Sequence, residues 1–204
     1  MKISIEDVKK LRIKSGAGVA DCRKALEEAG GDFEKAKEVL RKSGAVKAAK
    51  KSAERNTAEG MVHAYIHSNG KIGALVELQC ETDFVARTQD FKDLAHEVAM
   101  QVAATDPSYV SPDTIPQDMV RSVRAGFIAE LAADAKPEDI KAKIVDGRMS
   151  KWFAEVTLLK QPWVKDDSKT MEQLVQEKIA TIGEKIVVAR FIRFQLSGTP
   201  HVEE

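Results

Sequence analysis

The sequence predicts an α+β protein, and three observations carry that expectation. Residues 4–44 hold three short helical periods separated by glycine-containing turns. Residues 60–81 read as two strands around Asn69-Gly70, the strongest short hairpin signal. Between residues 88 and 182 apolar side chains recur at helical spacing, and 185–196 returns to β-branched and aromatic residues, a third strand. The expected architecture is an N-terminal three-helix module, a helical linker, and a core of three-stranded antiparallel sheet packed with helices and a helical hairpin.

The N-terminal helices are the most sharply marked. Ser4 is a good N-cap with Asp7 at the third helical position, and Ile3 is placed to staple onto Val8. Val8 and Leu11 continue the apolar stripe until Ser15-Gly16-Ala17-Gly18 stops it. A second helix over 19–29 turns Cys22, Ala25, Leu26 and Ala29 inward and ends at Gly30-Gly31. Asp32 caps a third, with Phe33, Ala36, Val39 and Leu40 inward and Gly44 closing it. Seen in isolation the unit looks like a ubiquitin-associated-type binding module. Residues 41–55 then set Arg41, Lys42, Lys47, Lys50, Lys51 and Arg55 against Glu54 alone, a basic helical linker. The domain division that follows is 1–55 for module and linker, 56–198 for the core, and 199–204 for a flexible tail.

In the hairpin, a two-residue turn pairs His67 with Ile72, Tyr65 with Ala74 and His63 with Val76. One face then carries Met61, Tyr65, Ile72, Ala74, Val76 and Leu78; the other carries Val62, Ala64, Ile66 and Leu75. Both are apolar, so both need covering. Helices supply one cover, and a second copy of the chain is the expected other, as a two-fold homodimer. His63 and His67 share a face, but no carboxylate or cysteine completes a metal site, and none is expected. Beyond a helix over 88–104, two helical stretches at 118–135 and 138–159 flank Lys136-Pro137 and form a hairpin spanning about 113–159. Its expected seam is Ile128, Leu131, Ile140, Ile144, Trp152 and Phe153, with Gly147 as a point of interruption. Residues 161–167 read as loop, and Thr170 with Gln173 as the capping box of a helix that buries Leu174, Val175 and Ile179.

Composition excludes several function classes. Lys+Arg and Asp+Glu are both 32, a formal net charge of +0, which argues against a dedicated nucleic-acid binder. No apolar run approaches the ~20 residues that span a bilayer, and the N-terminal residues have no signal-peptide core. Cys22 and Cys80 stand far apart and form no metal or redox motif, consistent with reduced thiols in a cytoplasmic protein. There is no Gly-rich phosphate loop, no metal-ligand cluster and no nucleophile–base pairing, so neither an enzyme nor a cofactor is expected.

The stretch Thr82-Asp83-Phe84-Val85 lies where period two gives way to the helical period of Phe91, Leu94, Ala95, Val98 and Val102. Two readings of this junction stand. In one, Phe84 opens the buried face of the helix and Asp83 caps its first turn. In the other, the corner presents Phe84 to a partner from a rigid base.

The run 11–26, Leu11-Arg12-Ile13-Lys14-Ser15-Gly16-Ala17-Gly18-Val19-Ala20-Asp21-Cys22-Arg23-Lys24-Ala25-Leu26, resembles the first signature of the bacterial elongation factor Ts family. Arg41-Lys42-Ser43-Gly44-Ala45, the run from Cys80 to Arg87, Ile182-Gly183-Glu184-Lys185-Ile186-Val187-Val188 and Phe191-Ile192-Arg193-Phe194 resemble the same family in the same order. Together they cover residues 3–198, at the length of members with a single core subdomain. Gln79 and Arg87 depart conservatively from the frequent Asn and Lys. Val19 and Ala20 are smaller than the methionines some members place there. Ile192 stands where some short members have Cys, which excludes an intersubunit disulfide at that position.

The resemblance implies a guanine nucleotide exchange factor for elongation factor Tu in its GDP-bound and nucleotide-free forms. Thr82, Asp83, Phe84 and Val85 would intrude and dislodge Mg²⁺, while Arg12, Asp21 and Arg23 would dock near the nucleotide. A non-catalytic protein- or RNA-binding module built on the three-helix unit is the alternative.

Overall fold

The computed structural model describes residues 3–54, 56–134 and 136–196, with side chains omitted for 44–54. Arg55, Ala135 and the expected tail at 199–204 lie outside the described residues. Among the described residues, eight α-helices and a three-stranded antiparallel sheet make the protein α+β, as the sequence predicts. The helices are α1 (Ile5–Ser15), α2 (Val19–Glu28), α3 (Phe33–Glu54), α4 (Asp83–Ala86), α5 (Gln89–Thr105), α6 (Gln117–Glu130), α7 (Glu138–Val156) and α8 (Met171–Ile182). The strands are β1 (Glu59–Ile66), β2 (Ile72–Cys80), β3 (Pro162–Trp163), β4 (Asp166–Thr170) and β5 (Val187–Gln195).

The chain divides into two compact units, one of residues 1–61, 78–94 and 173–187, the other of 62–77, 95–172 and 188–204. In the first unit α1 begins as expected: the Asp7 amide donates to the Ser4 hydroxyl at 3.0 Å. Val8, Leu11, Cys22, Ala25, Leu26 and Ala36 form one buried cluster, with Ile3, Ala17, Ala29, Phe33, Val39 and Leu40 packed around it. Gly44 does not close the third helix, which runs on to Glu54. One mid-helix glycine costs about 1 kcal/mol, and the alanines and lysines that follow are strong helix formers. Gly60 has φ of 154°, and a Cβ there would sit 2.2 Å from the Leu78 carbonyl oxygen, so β1 can approach β2 closely only without a side chain. Leu78, Cys80, Phe91 and Leu94 are buried, together with Leu174, Val175 and Ile179 of α8.

The three long strands pair in the order β1-β2-β5. The His67 amide donates to the Ile72 carbonyl at 2.9 Å, which is the expected register, and Gly70 at φ 65° makes the turn. The Leu196 amide donates to the Lys71 carbonyl at 2.8 Å, so β5 runs antiparallel to β2. Burial alternates along β2: Ala74 and Val76 are buried while Leu75 is exposed. On the exposed side Val62, Ile66, Leu75, Ile192 and Phe194 all face outward, with the Arg190–Glu77 ion pair at 2.6 Å beside them.

Helices α6 and α7 form the expected hairpin around Leu131, Val145 and Met149, flanked by Val120, Val123, Phe127, Ile144, Trp152 and Phe153. Ile128 and Ile140 are exposed and do not join the seam. α6 ends at Glu130 and α7 at Val156, and α7 passes through Gly147 without interruption. The Arg124–Asp146 pair at 2.7 Å ties the two arms. Residues 161–167 are not simple loop, because β3 and β4 pair there. Buried Gln101 explains the pairing: its amide donates to the Gln161 side chain at 3.2 Å and the Pro162 carbonyl at 3.0 Å, and accepts from the Val164 amide at 2.9 Å. A buried amide must find its partners in the protein, and this one fixes the segment.

Candidate functional site

Strand β2 ends on fully buried Cys80 and delivers the chain to a corner whose conformation is set by hydrogen bonds. Thr82, and not Asp83, is the N-cap of α4. Its φ of −130° and ψ of 152° are extended, and the Val85 amide donates to its hydroxyl at 3.4 Å. The Thr82 hydroxyl in turn donates to Glu184 Oε1 at 2.7 Å, and the Thr82 amide donates to Glu184 Oε2 at 3.1 Å. Alongside, the Lys185 amide donates to Glu81 Oε1 at 2.6 Å. Two strand-flanking segments about a hundred residues apart are therefore laced together by two carboxylates.

After one turn the backbone leaves α4, and Thr88 starts α5. Its hydroxyl donates to the Val85 carbonyl at 2.8 Å and accepts from the Phe91 amide at 3.3 Å. The buried face of α5 begins at Phe91, which is 0% exposed, while Phe84 is 79% exposed. Of the two sequence readings, the one that buries Phe84 in the helix core is excluded. Asp83 pairs with Arg87 at 2.9 Å across one turn, and Val85 is half-buried. The Cys80 thiol donates to the Thr82 carbonyl at 3.2 Å. Burial, and then the Glu184 carboxylate, push that thiol above its usual range, so it stays protonated and structural.

The lesser expected residues belong to the same compact unit as the corner. Arg12 is exposed in the last turn of α1, where its carbonyl accepts the Gly16 amide at 2.8 Å. Asp21 folds back toward the start of α2: a Cβ on Gly18 would lie 3.6 Å from its Oδ2. Arg23 is exposed and pairs with Glu27 at 3.0 Å. Where α1 ends, Gly16 lies against the Thr181 side chain of α8, with a Cβ position 3.4 Å from Thr181 Cγ2. The three-helix segment is thus seated on the element that leads to Glu184.

Sequence reasoning did not find Glu184. It lies in the quoted run 182–188, but neither period nor spacing connects it to Thr82. The one local signal is Gly183, whose φ of 90° ends α8 with a left-handed residue and turns the chain toward the corner.

Among the described residues no group of three or more His, Cys, Asp and Glu could hold a metal ion, and no helix is long and apolar enough to cross a membrane. His63 and His67 face other partners: His63 Nε2 lies 3.3 Å from His96 Nδ1, and His67 Nδ1 lies 3.1 Å from the Tyr65 hydroxyl. What the corner offers is contact: an exposed aromatic ring, a paired carboxylate, and a backbone hydrogen-bonded to Glu184.

The fold and corner define a class first, that of α+β proteins with an exposed aromatic side chain on a strand-to-helix turn. Comparison with known proteins narrows it. The family model described as Elongation factor TS matches residues 5–198. The chain is 50% identical over 194 residues to the elongation factor Ts of Moorella thermoacetica, covering 95% of each chain. It is 48% identical over 196 residues to that of Coprothermobacter proteolyticus, covering 96% of this chain and 99% of the relative. With that of Oleidesulfovibrio alaskensis it shares 51% identity over 191 residues, 94% and 96% of the two chains. The chain belongs to the elongation factor Ts family, and with it to the factors of translation elongation.

Proposed function

We propose that this chain is a guanine nucleotide exchange factor for elongation factor Tu and that the Thr82–Val85 corner is its working part. The observation that carries the reading is Phe84: a large apolar ring 79% exposed on a turn whose backbone is fixed by Thr82 and Glu184. Ordering entropy is already spent in the free protein, so contact with a partner is realised as binding energy. The reaction breaks no covalent bond. In a GTPase, Mg²⁺ joins protein groups to the nucleotide phosphates and demands near-ideal octahedral geometry. Insertion of Phe84 and Asp83 beside that ion displaces it, and GDP loses its clamp. Factor and nucleotide weaken each other reciprocally, since the coupling free energy is shared. GTP entry expels the factor by the same route.

Residues 1–55 act in this reading as a ubiquitin-associated-type docking module plus linker, with Arg12, Asp21 and Arg23 near the nucleotide pocket of the partner. The core of residues 56–198 both carries the wedge and dimerises through the bare sheet face of Val62, Ile66, Leu75, Ile192 and Phe194. A contiguous apolar face of that kind signals an interface, and a self-complementary one closes as a two-fold pair. The setting is the cytoplasm. The deciding experiment is release of labelled GDP from elongation factor Tu with and without the chain. Acceleration that is lost on deleting residues 1–55, in a core that stays folded, supports the whole assignment; no acceleration by the intact chain refutes it.

A further inference from the structure

We infer that Glu184 is a positioning residue for exchange: its carboxylate presets the Thr82–Val85 corner and acts on the partner only through Thr82. This rests on the reading of the corner as the exchange wedge. The geometry is a relay. The Val85 amide donates to the Thr82 hydroxyl at 3.4 Å, and that hydroxyl donates to Glu184 Oε1 at 2.7 Å. Because the hydroxyl proton is committed to the carboxylate, an oxygen lone pair is left facing the Val85 amide, and the cap is made in one orientation only. The second oxygen, Oε2, takes the Thr82 amide at 3.1 Å. Both hydrogen-bond donors of the capping residue are thereby held by one side chain from outside the helix.

Local sequence is too weak to do this by itself. A four-residue helix has no stability of its own, since nucleation costs more than its few hydrogen bonds return. Bonds to an ionised acceptor are about twice as strong as neutral ones. Glu184 is itself aimed by Gly183, whose left-handed φ of 90° no β-branched residue would accept, and by the neighbouring Lys185 amide bond to Glu81 at 2.6 Å. Removing the carboxylate leaves Phe84 in place chemically but lets the ring sample orientations that do not fit the partner, so the competent fraction falls.

The test uses the full chain as Glu184→Ala and Glu184→Gln, with Thr82→Val and the Thr82→Val/Glu184→Ala double variant. Three readouts are taken: the maximal rate of stimulated GDP release, the factor concentration at half-maximal rate, and exchange of the Thr82 amide hydrogen. In Glu184→Ala the Thr82 amide should exchange on the order of ten- to a hundredfold faster, as expected for loss of a bond to a charged acceptor. The maximal release rate should drop about tenfold, while the half-maximal concentration changes far less because docking elsewhere is intact. Glu184→Gln keeps one accepting oxygen and should recover part of both losses. The double variant should be no worse than Thr82→Val, since the two residues act as one unit. If Glu184→Ala does not fold, the same readings are taken on Glu184→Gln against Thr82→Val. An unchanged Thr82 amide, or an unchanged maximal rate beside a slowed Phe84→Ala, overturns the role assigned to Glu184. A parent rate in Phe84→Ala removes instead the wedge reading beneath it, and this inference with it.

Discussion

Two phenylalanines stand well out of the surface, and the company they keep differs. Phe84 is alone, 79% exposed on a turn whose neighbours are an ion pair and a clamped threonine. Phe194, 63% exposed, shares a sheet face with Ile192, Leu75, Ile66 and Val62. Water tolerates a single ring above a polar base, and in the proposed function such a ring is an anchor that a partner takes and releases. A row of apolar side chains on a flat sheet is disfavoured in proportion to its whole area, and only a lasting cover relieves it. Exposure by itself therefore does not identify a site; the rigidity beneath a side chain and the polarity around it decide what kind of contact it can make.

A third ring calibrates the pair. Phe91 opens the buried face of α5 at 0% exposure, so Phe91→Ala should cost about 3–5 kcal/mol, read as a lower denaturant midpoint at constant slope. A loss below about 1 kcal/mol would mean that this core closes around cavities, and the contrast with Phe84 would blur. Next in size is Phe194→Glu. Charge placed in the proposed seam should remove on the order of 2–4 kcal/mol of association and convert a dimer into a monomer by light scattering. A monomeric parent chain at micromolar concentration would end the dimer proposal.

Phe84→Ala should leave stability within about 0.5 kcal/mol, because nothing is uncovered. Its cost appears as ~2 kcal/mol or more in stimulated GDP release. Chelating Mg²⁺ should narrow that gap, since the displacement has then been done already. Asp83→Ala should cost less, because an exposed carboxylate gives up water before gaining a bond. The smallest effect concerns His63. Burial, followed by the nearby His96, holds its imidazole below the ordinary histidine range. As pH falls from about 6.5 the unfolded chain takes up a proton before the folded one does. His63 therefore favours folding above that value, and the advantage declines through the window down to its lowered folded value. Urea midpoints across that window should slope downward toward acid, and His63→Gln should flatten the slope; an equal slope in the variant would assign the effect elsewhere.

Much of the fold was legible wherever a local rule decides. Ser4 and Asp7 mark a helix start, Asn69-Gly70 fixes a register, and the switch of period after Cys80 locates the corner. The sequence left the exposure of Phe84 open, since an aromatic at a helix start suits core and surface equally. What could not be read depends on partners distant in the chain. Gln101 determines that 162–170 pairs as strands, and no property of those residues announces it. Ile128 and Ile140 obey a helical period yet sit off the seam, which on α6 follows the row of Val120, Val123 and Phe127 on to Leu131. Glu184 was invisible for the same reason, as a surface-type residue whose role is defined wholly by what it meets.

That meeting has a consequence for the order in which the molecule comes into being. Thr82 is made early and Glu184 late, with 102 positions between them. While the chain is being synthesised, the turn bearing Phe84 exists without its clamp, and the loop to be closed is long. An excised peptide spanning β2 and α5 would contain every atom of the corner and lack the Glu184 bonds that cap it. The residues of the corner are written before the midpoint of the chain, and the carboxylate that caps them near its end.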